Sequence, residues 1–298
     1  MSGRAARMLA QAKINLALRV FAKGADGYHS IETVLLRLDL GDDVEIRTTR
    51  GPRSLRCFEM RDKRPEENLA YRAAELFANE TGWPKGFEIE ITKNVPIGGG
   101  LGGGSADAAA VLHILNTLSS KPMATEKLLA LAARVGSDTS FLASDYVMAL
   151  SWGRGERLLR LKPLPSRDIE LFLPPFGIDT GEAYALLDEA RGSYAGGGPE
   201  LTTEMFRDWN SAAKNSINDF EPVMRRRHED IDALLSRGDR SGLLYRMSGS
   251  GSTVFKVSGV APKSLDSEAS AQAPELPEGI RRIVTRTAES VVPVELLD

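Results

Sequence analysis

With 298 residues, 42% apolar and 27% charged, the chain has room for two modest domains with proper cores and a shared cleft. Its net charge of −3 argues against a nucleic-acid or anionic-membrane surface, so any phosphate recognition must come from local backbone donors and a few placed cations. One cysteine, Cys57, rules out an intrachain disulfide, three scattered histidines make no metal cage, and no run reaches signal or span length, so a reducing cytoplasm is expected.

Residues 12–20 (AKINLALRV) alternate strictly, with Ile14, Leu16, Leu18 and Val20 on one face. The pattern predicts a half-buried strand with Lys13 and Asn15 side by side on its polar face. Asp26-Gly27 predicts a tight turn that sets Tyr28 and His29 at the head of a strand running through Leu38. The segment up to Thr49 reads as strand, acidic turn, strand. Residues 50–67 are charged and irregular and receive no role, with Cys57 a half-buried passenger. Asn68 caps a helix through Asn79 whose stripe is Leu69, Ala73, Leu76 and Phe77. Residues 87–92 alternate as a strand, and Lys93 at its end is either a nucleotide neighbour or a surface lysine.

Residues 94–116 organise the rest. Six glycines (98, 99, 100, 102, 103 and 104) fall within seven residues and run into an alanine-rich helix. Without Cβ atoms such a backbone takes positive φ and lets an anion lie on its N–H groups, while the helix N-terminus aims its dipole at the same point. No Gly-Lys-Ser/Thr follows, so this is not a Walker loop. Gly98, Gly100 and Gly103 fit G-x-G-x-x-G, but the acidic residue that a dinucleotide site needs about 20 residues on is missing. A flexible linker does not sit welded between a strand and a strong helix. A nucleotide-phosphate loop is the reading that remains.

Asp107 reads as a first-turn complement to the helix dipole, and His113 and Asn116 as packing or capping residues. Met123 and Thr125 predict a staple and N-cap for a helix through Arg134. Gly136 closes it, and on spacing alone Asp138 is a cap for the next turn. Residues 145–151 and 157–161 read as strands around a Gly-Arg-Gly-Glu turn, with a domain boundary near 162–168. A strand, a Pro-Pro stop and a helix capped by Asp179 or Thr180 follow, placing Thr180 and Tyr184 on one helical face. Residues 193–200 read as a loop, 262–277 as surface loop or short helix, and IRRIVTRTA as a last edge strand.

PIGGGLGGGSADAAA resembles the second motif of the GHMP kinases, a family that includes galactokinase and the homoserine, mevalonate and phosphomevalonate kinases. KINLALRV and MSGSGSTVFKV resemble its first and third motifs, the latter implying a second Gly-Ser turn at 247–257, and residues 215–232 resemble a packing helix of the family. The resemblance covers nearly the whole chain and implies an α+β, two-domain GHMP-kinase fold. Residues 1–162 would be the ribosomal protein S5 domain 2-like N-terminal domain and 163–298 the ferredoxin-like C-terminal domain, with the active site in the cleft. It implies ATP with Mg²⁺, the metal ligands unassigned. The nucleotide would be held by Lys93, Pro96, Ile97, Gly98, Gly99, Gly100, Leu101, Gly102, Gly103, Gly104, Ser105 and Ala106, its adenine beside the helix from Asn68. Val-Gly-Ser-Asp-Thr-Ser-Phe matches a family segment written Gly-Ala/Ser-Asp-Val-Pro-Phe, which gives Asp138 the role of catalytic base, paired with Lys13. Thr139-Ser140 replaces Val-Pro.

In the same family Asn15 reaches the acceptor site. Asp-Gly-Tyr-His narrows the resemblance to the branch that phosphorylates the 2-hydroxyl of 4-diphosphocytidyl-2-C-methyl-D-erythritol for isoprenoid precursor synthesis. By that resemblance Tyr28 and Tyr184 take the two faces of the cytosine, His29 its edge, and Thr180 the diphosphate. The implied partner is this small molecule, with no nucleic acid or membrane, in a monomer or weak homodimer. Another GHMP kinase of homoserine or mevalonate type, or a silent nucleotide sensor of the same fold, are the alternatives. Asp-Gly-Tyr-His and Tyr184 speak against the first and the pair Lys13 and Asp138 against the second.

Overall fold

The computed structural model describes residues 3–192, 200–260 and 276–298, so all but the last residue of the loop expected at 193–200 and most of segment 262–277 fall outside the described residues. Strand β1 (Ala5–Lys23) is longer than its alternation suggests, and it is not half-buried: Lys13 and Asn15 are 2% and 4% exposed. Alternation reports two faces but not what covers them. Here Ala6, Met8 and Ala10 enter one core, and Ala12, Ile14 and Leu16 enter a second core shared with the other half of the chain.

Strand β2 (His29–Thr49) pairs antiparallel with β1 through register shifts between Gln11 and Lys13, Asn15 and Ala17, and Val20 and Lys23. The expected acidic turn at residues 41–43 is corrected, because β2 continues through it. Gly41 has no Cβ to meet the Ala10 carbonyl oxygen at 2.8 Å, and Asp42 turns inward to accept from two backbone N–H groups. The charged segment after it is also corrected: it holds strand β3 (Arg53–Cys57), with Cys57 fully buried at 5% exposure.

Asn68 does cap α1 (Leu69–Thr81), accepting from Ala70 N at 2.8 Å. Strand β4 (Gly86–Thr92) then pairs antiparallel with β2 and parallel with β3. The alanines of α2 (Gly103–Leu118) let that helix sit close against α1 and β1, with ten of its residues buried. Helix α3 (Thr125–Val135) starts from Ala124, not from a Thr125 cap. Asn116 ties that turn instead, accepting from Met123 N at 2.6 Å and donating to Met123 O at 3.2 Å. After Gly136 come α4 (Ser137–Leu142), β5 (Met148–Gly153) and β6 (Arg157–Arg160).

The second half opens with β7 (Asp168–Leu173) and α5 (Thr180–Arg191), capped by Asp179 through Glu182 N at 3.0 Å. Helix α6 (Trp209–Asn215) follows a short 3-10 turn at Thr203–Phe206. The expected single packing helix is two, α7 (Glu221–Arg227) and α8 (Glu229–Ser241), because His228 adopts an extended φ of −134° between them. Strands β8 (Tyr245–Met247), β9 (Val254–Val257), β10 (Arg281–Arg286) and β11 (Glu295–Leu297) complete the chain.

The first sheet runs β11-β1-β2-β4-β3, with β5 added to β2 and β6 to β5; the second runs β10-β7-β9-β8. Strand β10 is an edge strand as expected, but the chain does not end there: β11 returns to the first sheet, where Glu295 pairs with Arg7 at 2.8 Å. Leu171 and Phe255 of the second sheet share a core with Ile14 and Leu16 of β1, so the two halves pack through β1. A cleft of about 1470 Å³ opens beside that seam. Among the described residues no helix is long and apolar enough to cross a membrane.

Candidate active site

The glycine loop forms the floor of the cleft. Gly98, Gly100 and Gly102 have φ of 75°, 75° and 73°, so left-handed residues alternate with Gly99 and Leu101, a backbone pattern that gathers N–H groups into an anion nest. Ala106 N is bonded to Gly102 O at 2.8 Å, which leaves the N–H groups of Gly103, Gly104 and Ser105 as the free start of α2. Gly98, Gly100, Gly102, Gly103, Gly104 and Ser105 all line the cleft. Leu101 is buried and Ile97 is 57% exposed, and neither of them lines the cleft, nor do Pro96, Gly99 and Ala106. A strip of neutral donors with no carboxylate among them fits a polyphosphate chain.

The third motif leans on this loop from the other half of the chain. Ser248 Oγ donates to Gly100 O at 2.9 Å, and Thr253 N donates to Gly99 O at 3.3 Å. The approach is so close that a Cβ on Gly100 would lie 2.1 Å from Ser248 O. Asn218, read from the sequence only as part of a packing helix, holds the motif by donating to Met247 O and Gly249 O, both at 2.8 Å.

Lys93 is placed differently from expectation. It does not line the cleft but lies beneath the loop, 6% exposed, with its ammonium between Asp42 and Asp107. Asp107 sits in the second turn of α2 and is buried by that pairing, so it is not an exposed complement to the helix dipole.

Lys13 and Asp138 do meet. Lys13 Nζ lies 3.3 Å from Asp138 Oδ2, and it donates to Asn15 Oδ1 at 2.8 Å and to Gly100 O at 2.9 Å. Lys13 is buried at the crest of the loop, and Asp138 keeps a third of its side chain open to the cleft. Asn15 holds Lys13 with one end of its amide and donates to Thr33 Oγ1 at 2.8 Å with the other. The helix that carries Asp138, α4, is fixed from behind. Arg37 is buried and donates through Nη2 to the carbonyls of Phe141, Leu142 and Ser144 at 3.1, 3.3 and 3.2 Å. Burial pushes its guanidinium down to about 10, which leaves it charged at neutral pH and favourable at a helix C-terminus.

Tyr28, His29, Thr180 and Tyr184 line the same cleft. Tyr28 is 58% exposed, with the Arg154 guanidinium 3.9 Å above its ring, and Arg154 is tethered to Asp26 at 2.7 Å. The His29 ring stacks on Tyr184 at 5.0 Å, and Phe220 meets the same tyrosine edge-on at 5.0 Å. His29 Nδ1 faces Phe21 O at 2.8 Å and Nε2 faces Asp188 Oδ2 at 3.2 Å. Burial and then the charge of Asp138 push the Tyr184 phenol up to about 12, so it stays a neutral ring. Thr180 Oγ1 lies 3.2 Å from Ser250 Oγ of the third motif.

Sequence reasoning missed Asp42, Arg37, Arg154 and Asp188. The Gly-Arg-Gly-Glu turn flagged the place of Arg154, but the other three carry no local signal. They act across a sheet or from another helix.

A loop without a Walker lysine, a lysine–aspartate pair at its crest and two α+β halves around one cleft define a small-molecule kinase of GHMP type. The comparisons agree. Residues 68–151 match the family model described as the GHMP kinases N terminal domain. A 4-diphosphocytidyl-2-C-methyl-D-erythritol kinase from Clostridium beijerinckii is 35% identical over 84% of this chain and 90% of its own length, and one from Anaeromyxobacter sp. is 40% identical over 84% and 79%. A crystal structure of 4-(cytidine 5'-diphospho)-2C-methyl-D-erythritol kinase superposes with a TM-score of 0.70 at 32% identity, covering 85% of this chain and 90% of that one. Mevalonate kinase from Methanococcus jannaschii shares the fold at 14% identity and a TM-score of 0.62, covering 97% and 99%. The chain belongs to the 4-diphosphocytidyl-2-C-methyl-D-erythritol kinase family, within the GHMP kinases.

Proposed function

We propose that this kinase transfers the γ-phosphoryl group of ATP to the 2-hydroxyl of 4-diphosphocytidyl-2-C-methyl-D-erythritol in the non-mevalonate route to isoprenoid precursors. The observation that carries the reading is the Lys13–Asp138 pair at 3.3 Å, standing over the loop at Gly100 and facing the cleft. Asp138 takes or orients the proton of the acceptor hydroxyl. Lys13, held in place by Asn15 and Gly100, offsets negative charge on Asp138 and on the group in transfer. Gly98, Gly100, Gly102, Gly103, Gly104 and Ser105, the loop residues that line the cleft, hold the triphosphate, chiefly through backbone N–H groups. Mg²⁺ supplies charge neutralisation on the phosphates when bound. Tyr28 and Tyr184 flank the cytosine, His29 meets its edge, and Thr180 with Ser250 meets the diphosphate.

The same reading divides the chain into residues 1–162 and 163–298, with β11 returning to the first part, and places it as a cytoplasmic monomer or weak homodimer. The test is Asp138→Asn. Turnover should fall by roughly 10² to 10⁴-fold while ATP affinity measured by calorimetry barely changes. Near-normal turnover would make Asp138 only the start of α4.

A further inference from the structure

Beneath the phosphate loop lies a buried ion cluster that takes no part in the transfer. The side chains of Lys93, Asp42 and Asp107 are 6%, 0% and 3% exposed. Lys93 Nζ donates to Asp42 Oδ2 and, at 2.7 Å, to Asp107 Oδ2. The other oxygen of Asp42 accepts from Asn94 N at 2.6 Å and Val95 N at 2.7 Å, and Asn94 Nδ2 donates to Gly41 O at 3.1 Å. Thus the first residues of the loop are pinned to β2, and its far end, Asp107 on α2, is joined back to its beginning across 14 residues.

Three charges in such a place are costly to bury, and a cluster of this kind is weak evidence for stability alone. The strain shows in the pair of shifts. Burial by itself would lower Lys93, but Asp107 and Asp42 raise it, while burial and then Asp42 push Asp107 up to about 7 against the pull of Lys93. Two carboxylates are sharing one ammonium. Asp107 Oδ1 is also buried without a partner among the described residues. A different gain has to offset this cost, and the loop above supplies it. A glycine-rich segment has more backbone freedom to lose than any other, and a ligand that must order it binds correspondingly less tightly.

We propose that Lys93, Asp42 and Asp107 are positioning residues that clip the two ends of the phosphate loop together and so hold its N–H groups ready for the triphosphate. Lys93 on this account acts through the loop and touches no part of the nucleotide. The proposal rests on the reading that the loop binds phosphate.

The experiment compares wild type with Asp107→Asn, Lys93→Met and Lys93→Arg. It measures ATP, GTP and tripolyphosphate affinity by calorimetry, together with amide hydrogen exchange. Asp107→Asn keeps shape and an acceptor oxygen, so it serves if Lys93→Met fails to fold. Asp107→Asn and Lys93→Met should weaken ATP and tripolyphosphate by the same factor, about ten-fold. Amides of residues 97–106 should exchange faster by a similar factor while those of α1 and α3 do not change, and Lys93→Arg should recover most of the loss.

Three results would overturn the proposal. Weaker ATP with unchanged tripolyphosphate, or an altered choice between ATP and GTP, would mean that Lys93 contacts the base. Unchanged loop exchange in a folded variant would mean that the clip does nothing. Protection lost evenly across the first half of the chain would mean that the cluster only holds the fold. A wild type that ignores tripolyphosphate while binding ATP would instead remove the phosphate-site reading, and the inference with it.

Discussion

At the glycine-loop end of the cleft Lys13 is buried in the wall and Lys93 beneath the loop, both hydrogen-bonded on several sides, and the loop is fastened from below by Asp42 and from the far half by Ser248. At the base end Tyr28 is 58% exposed, Arg154 and Asp26 are paired in the open, and Asp188 is 39% exposed. Exposed ion pairs contribute little, typically about 0–1 kcal/mol. On the proposed reading the first end is therefore pre-formed for its ligand. The second is not, because both ring nitrogens of His29 already face partners of the protein and Tyr184 already has His29 against it. A base entering there must displace something.

The comparison breaks most visibly at Gly100, where there is no slack. With φ of 75° and only 2.1 Å between a Cβ and Ser248 O, Gly100→Ala must shift the loop backbone. ATP binding should weaken by roughly 10²-fold in a protein whose circular dichroism is unchanged. Unaltered affinity would put the triphosphate elsewhere.

Substitutions at the base end should be milder and should leave ATP alone. Each stacking face is worth roughly 1 to 3 kcal/mol, mostly as binding remote from the reacting hydroxyl. Tyr28→Ala and Tyr184→Ala should therefore each raise KM for the cytidyl acceptor by about ten-fold, with a smaller fall in kcat. If kcat falls more than KM rises, the rings serve the transfer and not the base.

Asp188 sharpens the contrast. Since it occupies Nε2 of His29 at 3.2 Å, Asp188→Ala should free that nitrogen and lower the acceptor KM by about two- to five-fold, the value of one modest hydrogen bond. A raised KM would mean that Asp188 positions His29, and that this end is pre-formed too.

The last effect lies under the loop and shows as a change with pH. Asp107 is pushed by burial to about 7, above the ordinary carboxylate value, so the folded state holds its proton more tightly than the unfolded one. The stability this contributes is complete below about pH 4 and is lost as pH rises through about 7. Asp107→Asn has no such proton. Between pH 6 and pH 8 the difference in unfolding free energy should move in favour of the Asn variant by on the order of 1 kcal/mol, as urea melts would measure. A difference independent of pH would contradict the shift.

What could be read from the sequence follows the same division. The phosphate loop is a contiguous pattern whose chemistry is local, whereas Asp138, Tyr28, Thr180 and Tyr184 read only as a cap, a turn tip and one helical face until the family resemblance gave them roles. Asp42 looked like part of a turn because its partner Lys93 is 51 residues away, and nothing in the sequence brings them together before β2 and β4 pair. Lys13 looked solvent-facing because alternation says nothing of the loop that covers it. Strand β3 was invisible because Arg53, Ser54 and Arg56 give it no apolar signature; it pairs with β4 at the sheet's edge.

The central claim, that this cleft joins an ATP floor to a cytidine clamp, is tested most directly by release of ADP with different acceptors. The 4-diphosphocytidyl-2-C-methyl-D-erythritol substrate should be phosphorylated efficiently, and methylerythritol 4-phosphate, homoserine and mevalonate very poorly. Comparable rates with methylerythritol 4-phosphate, which lacks the base, would contradict the clamp and leave only a GHMP kinase whose acceptor is still to be found.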